Sequence, residues 1–221
     1  MRHSFLIATA TFLLAGCSVS YASSGDTVTQ HRDLSAFDKL ETSGGVNVTL
    51  SCGPAAQAVL RGDSEAIDKI ETIVEGHTLV VRRSSNWHIG HESVRIDVTA
   101  TGPLVRLSAS SGSMVEAPAC AISSDRLDLG ASSGAELRVA GKTEHLSAEA
   151  SSGGTIKRPS GARLDAHDAD LRASSGGTVR VCSVGHLDGR ASSGGSISTE
   201  EAGSGDRSSS SGGEITTRRC D

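Results

Sequence analysis

The chain has 221 residues, with 21 Lys and Arg against 26 Asp and Glu, so its formal net charge is −5. This mild acidity leaves no overall electrostatic footprint for nucleic acid. Three Phe, one Tyr and one Trp are all its aromatic residues, which excludes a core built on large rings and leaves a thin one of Val, Ile, Leu and Ala.

Residues 1–22 read as an export signal. Arg2 supplies the positive start and "FLIATATFLLAG" (5–16) the apolar stretch, too short to span a bilayer comfortably. Two exits compete. "LAGC" (14–17) has the lipobox pattern, with cleavage before Cys17 and lipidation of that residue; "SYA" (20–22) is a small-x-small site for cleavage after Ala22. The cysteine directly follows the apolar run, which favours the lipoprotein route. Residues 23–35 are polar and read as a tether.

Residues 36–104 read as a β-rich head. "VNVTL" (46–50) alternates as a half-buried strand does, and "QAVLRGD" (57–63) is a second strand ending in a turn. "SEAIDKIETIVE" (64–75) has helical apolar spacing with Ser64 as a possible N-cap, or is a short helix followed by a strand, "IETIVEG". "HTLVVRR" (77–83) and "VRIDVTA" (94–100) complete the strands, with "SSNWHIGHES" (84–93) as a loop between them.

From Val105 to Asp221 the chain repeats. A Ser-Ser-Gly word begins at 110, 132, 151, 174, 192 and 210, and a period near 20 residues calls for a solenoid. Taking its first Ser as position zero, position +5 is Val115, Leu137, Ile156, Val179, Ile197 and Ile215. Position −1 is Ala five times and then Ser209, and −3 and −5 are mostly apolar. Side chains alternate along a strand, so −5, −3, −1 and +5 point inward and the tetrad is the corner between two strands. The expected fold is all-β: a single-stranded parallel β-helix, forming one structural domain with the head over 36–221. By the same alternation the +1 serines, Ser111, Ser133, Ser152, Ser175, Ser193 and Ser211, point into the corner and form a hydroxyl ladder. The competing reading is an outward Ser-Gly ridge that serves as a binding strip.

The order of parts, from "VNVTL" and "VLRGDSEAIDKIETIVEGHTLVVRR" to "VRIDVTATGPLVRLSASSGS" and the later coils, resembles the autotransporter adhesin family with a GIN head domain. The resemblance covers roughly residues 33–220. It implies a right-handed β-helix in the bacterial envelope.

Four cysteines follow the signal: Cys52, Cys120, Cys182 and Cys220. An even count in an exported chain favours disulfides, with three connectivities open. Cys120 lies ten residues after Ser110, and Cys52 ten after Thr42 in "ETSGGVNV", a divergent first corner. Stacking the head on the first coil would bring those two together. Cys182 and Cys220 would then clamp the last coils through a loop excursion, since a bridge needs Cα atoms within about 7 Å.

Among chemical candidates, the loop residues Trp87, His88, His91 and Glu92 are the most diverse stretch and the first choice for a ligand contact. "RGD" (61–63) reads as a strand end and turn. His145, His167 and His186 could line one edge, and Asp165, Asp168 and Asp170 could attract a cation. No catalytic residue, metal site or cofactor is assigned. The reading is a non-catalytic cell-envelope protein, adhesive or binding, on the periplasmic or outer surface. Its partner would be a protein or polysaccharide, it would reach the membrane through acylated Cys17, and it would bind no nucleic acid. The alternatives are a carbohydrate-active β-helix enzyme and a periplasmic binding or signalling accessory.

Overall fold

The apolar columns become stacked ladders in the computed structural model, which describes residues 27–84 and 94–220. The first part contains β1 (Thr27–Asp33), β2 (Lys39–Ser43), β3 (Asn47–Cys52), β4 (Gln57–Asp63), α1 (Ser64–Asp68), β5 (Ile70–Glu75), β6 (Thr78–Arg83) and β7 (Arg95–Ala100). The coils follow with β8 (Arg106–Ala109), β9 (Met114–Ala117), a 3-10 turn (Ala119–Ala121), β10 (Arg126–Ala131), β11 (Glu136–Val139) and β12 (Gly141–Ala150). The last are β13 (Thr155–Lys157), β14 (Leu164–Ala173), β15 (Thr178–Ala191), β16 (Ser196–Ser204), β17 (Arg207–Ser209) and β18 (Glu214–Thr217).

One parallel ladder runs β6, β2, β8, β10, then the second halves of β12, β14 and β15, and ends on β17. A second runs β7, β3, β9, β11, β13, the first halves of β15 and β16, and ends on β18. A shorter third joins Gly141–Thr143 to Leu164–Ala166 and continues through Val184 and Ala202. The result is an all-β solenoid of about five turns, whose coils stack about 4.8 Å apart.

The inward columns are buried as their spacing demands. Leu40, Leu107, Leu129, Ala148 and Leu171 line one wall, and Val48, Val115, Leu137, Ile156, Val179 and Ile197 face them. Each such Val, Leu or Ile side chain, fully removed from water, contributes roughly 1.5–3 kcal/mol. The core is therefore a rod of small contributions rather than one large cluster. Position −5 departs from the expected pattern in the first coil: Leu104 is buried and Val105 only half so. The columns run out at the last coil, where Arg207 and Ser209 replace Leu and Ala and are exposed.

The head belongs to the same stack. Gly44 and Gly45 turn between β2 and β3 as a corner that lies beside the Ser111-Gly112 corner. β6 and β7 lie on β2 and β3 as a further layer. Antiparallel β5 and β4 then close the two faces, and β1 closes β4. Residues 64–75 take the second of the two expected forms, helix then strand. The N-cap is Asp63 rather than Ser64: its carboxylate accepts from the amides of Glu65 at 2.9 Å and Ala66 at 3.3 Å. Such a bond satisfies a donor that the helix start leaves open.

Residues 27–33, expected as tether, are β1 instead. They pair antiparallel with β4 along their whole length, and the Arg32 guanidinium donates to the carbonyls of Ile70 (2.6 Å) and Ile67 (3.2 Å) and to Thr72 Oγ1 (3.0 Å). One side chain thus fastens a polar edge strand to α1 and β5. Burial lowers the Arg32 pKa below its usual value, with Asp68 pulling the other way. Replacing Arg32 by Ala leaves two carbonyls without their charged donor. A loss of about 2 kcal/mol is expected in urea unfolding, with β1 amides exchanging faster than those of β4.

Candidate functional site

Cys17, proposed for lipidation, and the loop residues Trp87, His88, His91 and Glu92 lie outside the described residues. The corner serines lie within them, and the expected inward ladder is not what they form. Ser111, Ser133, Ser152, Ser175, Ser193 and Ser211 are all exposed, with φ between 47° and 53°. The following glycine is also left-handed, for example Gly134 and Gly153 at 74°. The amide of +3 then donates to the carbonyl of zero, as Gly154 does to Ser151 at 2.8 Å. That is a type I′ turn. Two successive left-handed residues break strand alternation, so the +1 side chain swings out and position +3 comes in.

Stacking of the corners is carried by backbone. The +2 amide donates to the +1 carbonyl of the next coil: Gly112 to Ser133 (3.0 Å), Gly134 to Ser152 (3.1 Å), Gly153 to Ser175 (3.1 Å) and Gly176 to Ser193 (3.1 Å). The +3 glycines sit where a side chain has no room. A Cβ on Gly154 would stand 2.2 Å from Ala131 O, and one on Gly177 2.2 Å from Ala150 O. In the earlier corners Val46, Ser113 and Ala135 occupy this place and are buried. The tetrad is thus accounted for by chain turning and close stacking.

Cys52 is bonded to Cys120 and Cys182 to Cys220, with Cα separations of 6.3 and 5.3 Å. The first bridge joins the end of β3 to the 3-10 turn of the adjacent coil. The second folds the tail back: Arg218 N–H still donates to Thr199 O at 2.8 Å, and Cys220 then returns over that coil to Cys182.

The remaining candidates are held by local partners. Arg61 pairs with Asp97 while Asp63 caps α1, so both charged ends of "RGD" are engaged within the head. His145 and His186 occupy one outward column, on either side of Asp168. His145 Nδ1 is 3.2 Å from Asp168, and His167, on the neighbouring position, is 3.1 Å from the same carboxylate. His186 meets Ser204 Oγ at 3.0 Å. Asp165 accepts from Arg163 at 3.2 Å and from the Ser183 amide at 3.0 Å, and Asp170 pairs with Arg172. Among the described residues no group of three or more His, Cys, Asp and Glu is placed to hold a metal ion.

One concavity falls outside the candidates read from the sequence. It is a trough of about 710 Å³ on the face of β11, β13 and β15, lined by Arg138, Lys157, Arg158, Arg180, Arg218 and Arg219 together with Glu116. Arg138 stands in register with Lys157, and Arg180 follows Val179, the partner of Ile156. These three occupy position +6, one beyond the apolar +5 column, and that outward column was the available signal. Arg218 and Arg219 arrive from the tail, which the Cys182–Cys220 bridge fixes against the wall. That contribution has no counterpart in the repeat.

Glu136 is paired with two of the trough's cations. It accepts from Arg138 Nε and lies 3.0 Å from Lys157 Nζ. Burial works to raise its carboxyl pKa, but the hydrogen bonds from Arg138 and Lys157 outweigh it and hold the group below its usual value of 4.5. A depressed folded-state value adds stability that is present above the unfolded value and lost as pH falls through the folded one. Glu136→Gln should therefore unfold at lower temperature than wild type at neutral pH. The gap should close as pH is taken below about 4, as followed by far-UV circular dichroism.

Solved structures share this architecture. A putative adhesin from Bacteroides fragilis is similar at 16% identity, covering 87% of this chain and 92% of that one, with a TM-score of 0.58. A putative adhesin from Parabacteroides merdae matches at 12% identity over 87% and 96%, TM-score 0.54. A putative lipid binding protein from Parabacteroides distasonis matches at 17% over 89% and 98%, TM-score 0.51. No curated protein matches the sequence. Residues 36–201 match the model of the family described as "Putative auto-transporter adhesin, head GIN domain", and the chain belongs to that family.

Proposed function

We propose that this is a non-catalytic protein of the bacterial cell envelope that presents the flank of its solenoid as a binding surface. The observation that carries this reading is the unbroken parallel stack. Outward side chains of consecutive coils stand in columns at fixed spacing along one continuous core. Such a rod offers a long, stiff flank rather than a hinged cleft. The two disulfides suit an oxidising compartment. The family and the adhesin neighbours support an envelope location. On the lipobox reading residues 1–16 are the export signal and Cys17 is the anchor.

The test is protease treatment of intact cells, paired with mass spectrometry of the mature N-terminus. The reading expects cleavage on the cell surface and an acylated Cys17. Full protection would reject surface adhesion and leave a periplasmic accessory; a mature chain starting at Ser23 would reject the anchor.

A further inference from the structure

We propose that the trough on the face of β11, β13 and β15 binds a linear acidic polysaccharide, one whose sugars carry carboxylate or sulfate groups. This rests on the reading of the flank as a binding surface and names its ligand class. The chain as a whole carries −5, yet six cations line this trough against the single lining carboxylate of Glu116. Glu116 lies 3.9 Å from Arg138, and Glu136 offsets part of the charge of Arg138 and Lys157. Arg158 donates to Cys220 Sγ at 3.1 Å and to Pro159 O at 3.0 Å, which aligns it without neutralising it. Among the described residues, Arg180, Arg218 and Arg219 have no ion-pair partner. Their charge is free to act on a ligand, and a concave wall focuses the field of grouped charges.

The arrangement also selects the ligand's form. Arg138, Lys157 and Arg180 rise from successive coils, about 4.8 Å apart along the stack. That spacing suits a chain with one charge on each sugar ring. No aromatic residue lines the trough, so neither neutral sugars nor the bases of a single-stranded nucleic acid have a stacking platform. Recognition falls to the anionic groups. Pro159 and Val181 are the apolar lining residues, too few to receive acyl chains. A concave trough also fits a single strand better than the plane of a membrane.

The experiment measures binding of the protein to polygalacturonate by titration calorimetry. Neutral dextran, phosphatidylglycerol vesicles and a single-stranded oligonucleotide are the comparison probes. Polygalacturonate is expected to bind in preference to all three and to weaken about tenfold as salt is raised from low to high ionic strength. Arg180→Ala/Arg218→Ala/Arg219→Ala should bind about tenfold or more weakly with unchanged thermal unfolding, since no ion pair is lost. Glu136→Gln should bind more tightly, because two cations are released. Unchanged affinity in the triple variant, or equal or tighter binding of dextran, vesicles or oligonucleotide, would overturn the proposal. The surface reading fails separately: a protein protected from protease on cells that still binds polygalacturonate in solution sinks that reading alone.

Discussion

Replacing Gly177 with alanine is expected to cost about 3 kcal/mol, among the largest effects of any small substitution in the coils. The added Cβ would stand 2.2 Å from Ala150 O and 2.4 Å from Ala150 C. These are backbone atoms in the preceding coil, so relief requires two stacked corners to separate. That breaks the contact that aligns Ser174 N–H on Ala150 O and Thr178 N–H on Gly154 O, both at 2.9 Å. Two changes at Ser175 supply the contrast. Ser175→Ala removes an exposed hydroxyl and should change stability by less than about 0.5 kcal/mol. Ser175→Gly relieves a left-handed serine at φ 47°, worth about 1 kcal/mol, against a similar entropic cost. Equilibrium urea unfolding separates the cases. If Ser175→Ala were as damaging as Gly177→Ala, the serines would be structural hydroxyls after all.

The second large effect is loss of the Cys52–Cys120 bridge. It closes 68 residues of sequence separation, and the chain-entropy relation gives about 4 kcal/mol for a loop of that size. Its position adds a mechanical consequence. Cys52 ends β3, on which β7 and then β4 are stacked, and Cys120 sits in the turn that follows β9. Without the bond, the head layers are joined to the coils by the β2–β8 and β3–β9 pairings and the apolar core beneath them, with no covalent cross-link. Cys52→Ala/Cys120→Ala should lower the urea midpoint and split the transition, with head strands exchanging amides before the coils. A variant that unfolds in one step at the wild-type midpoint would show that the bridge only decorates a junction already fixed by packing.

The coils were legible because their physics is periodic. A column at +5 that is apolar six times can only face a core, and Ala at −1 marks the narrow place beside the turn. Cys52 and Cys120 followed from stacking alone, although the first corner proves to begin at Ser43, one residue later than Thr42. Parity carried through the tetrad turns the +1 serines inward, whereas they are exposed. Alternation belongs to extended backbone; two left-handed residues in a row suspend it, and it resumes with the same parity at +3 and +5. β1 was hidden because it is a mostly polar edge strand, held by backbone pairing to β4 and by hydrogen bonds from Arg32 to distant carbonyls, which leave little apolar pattern. The trough was half visible. Arg138, Lys157 and Arg180 share a column, but Arg218 and Arg219 reach it through a tail that departs from the repeat.

The repeated tetrad is a backbone-stacked type I′ corner, and amide hydrogen exchange at the corners reads that stacking residue by residue. Gly134, Gly153 and Gly176 donate to the next coil and should exchange slowly. Among the described residues, the amides of Ser133, Ser152 and Ser175 have no such partner and should exchange fast. A serine-fast, glycine-slow alternation at each corner is the predicted result. Protected serine amides beside fast glycines would contradict it.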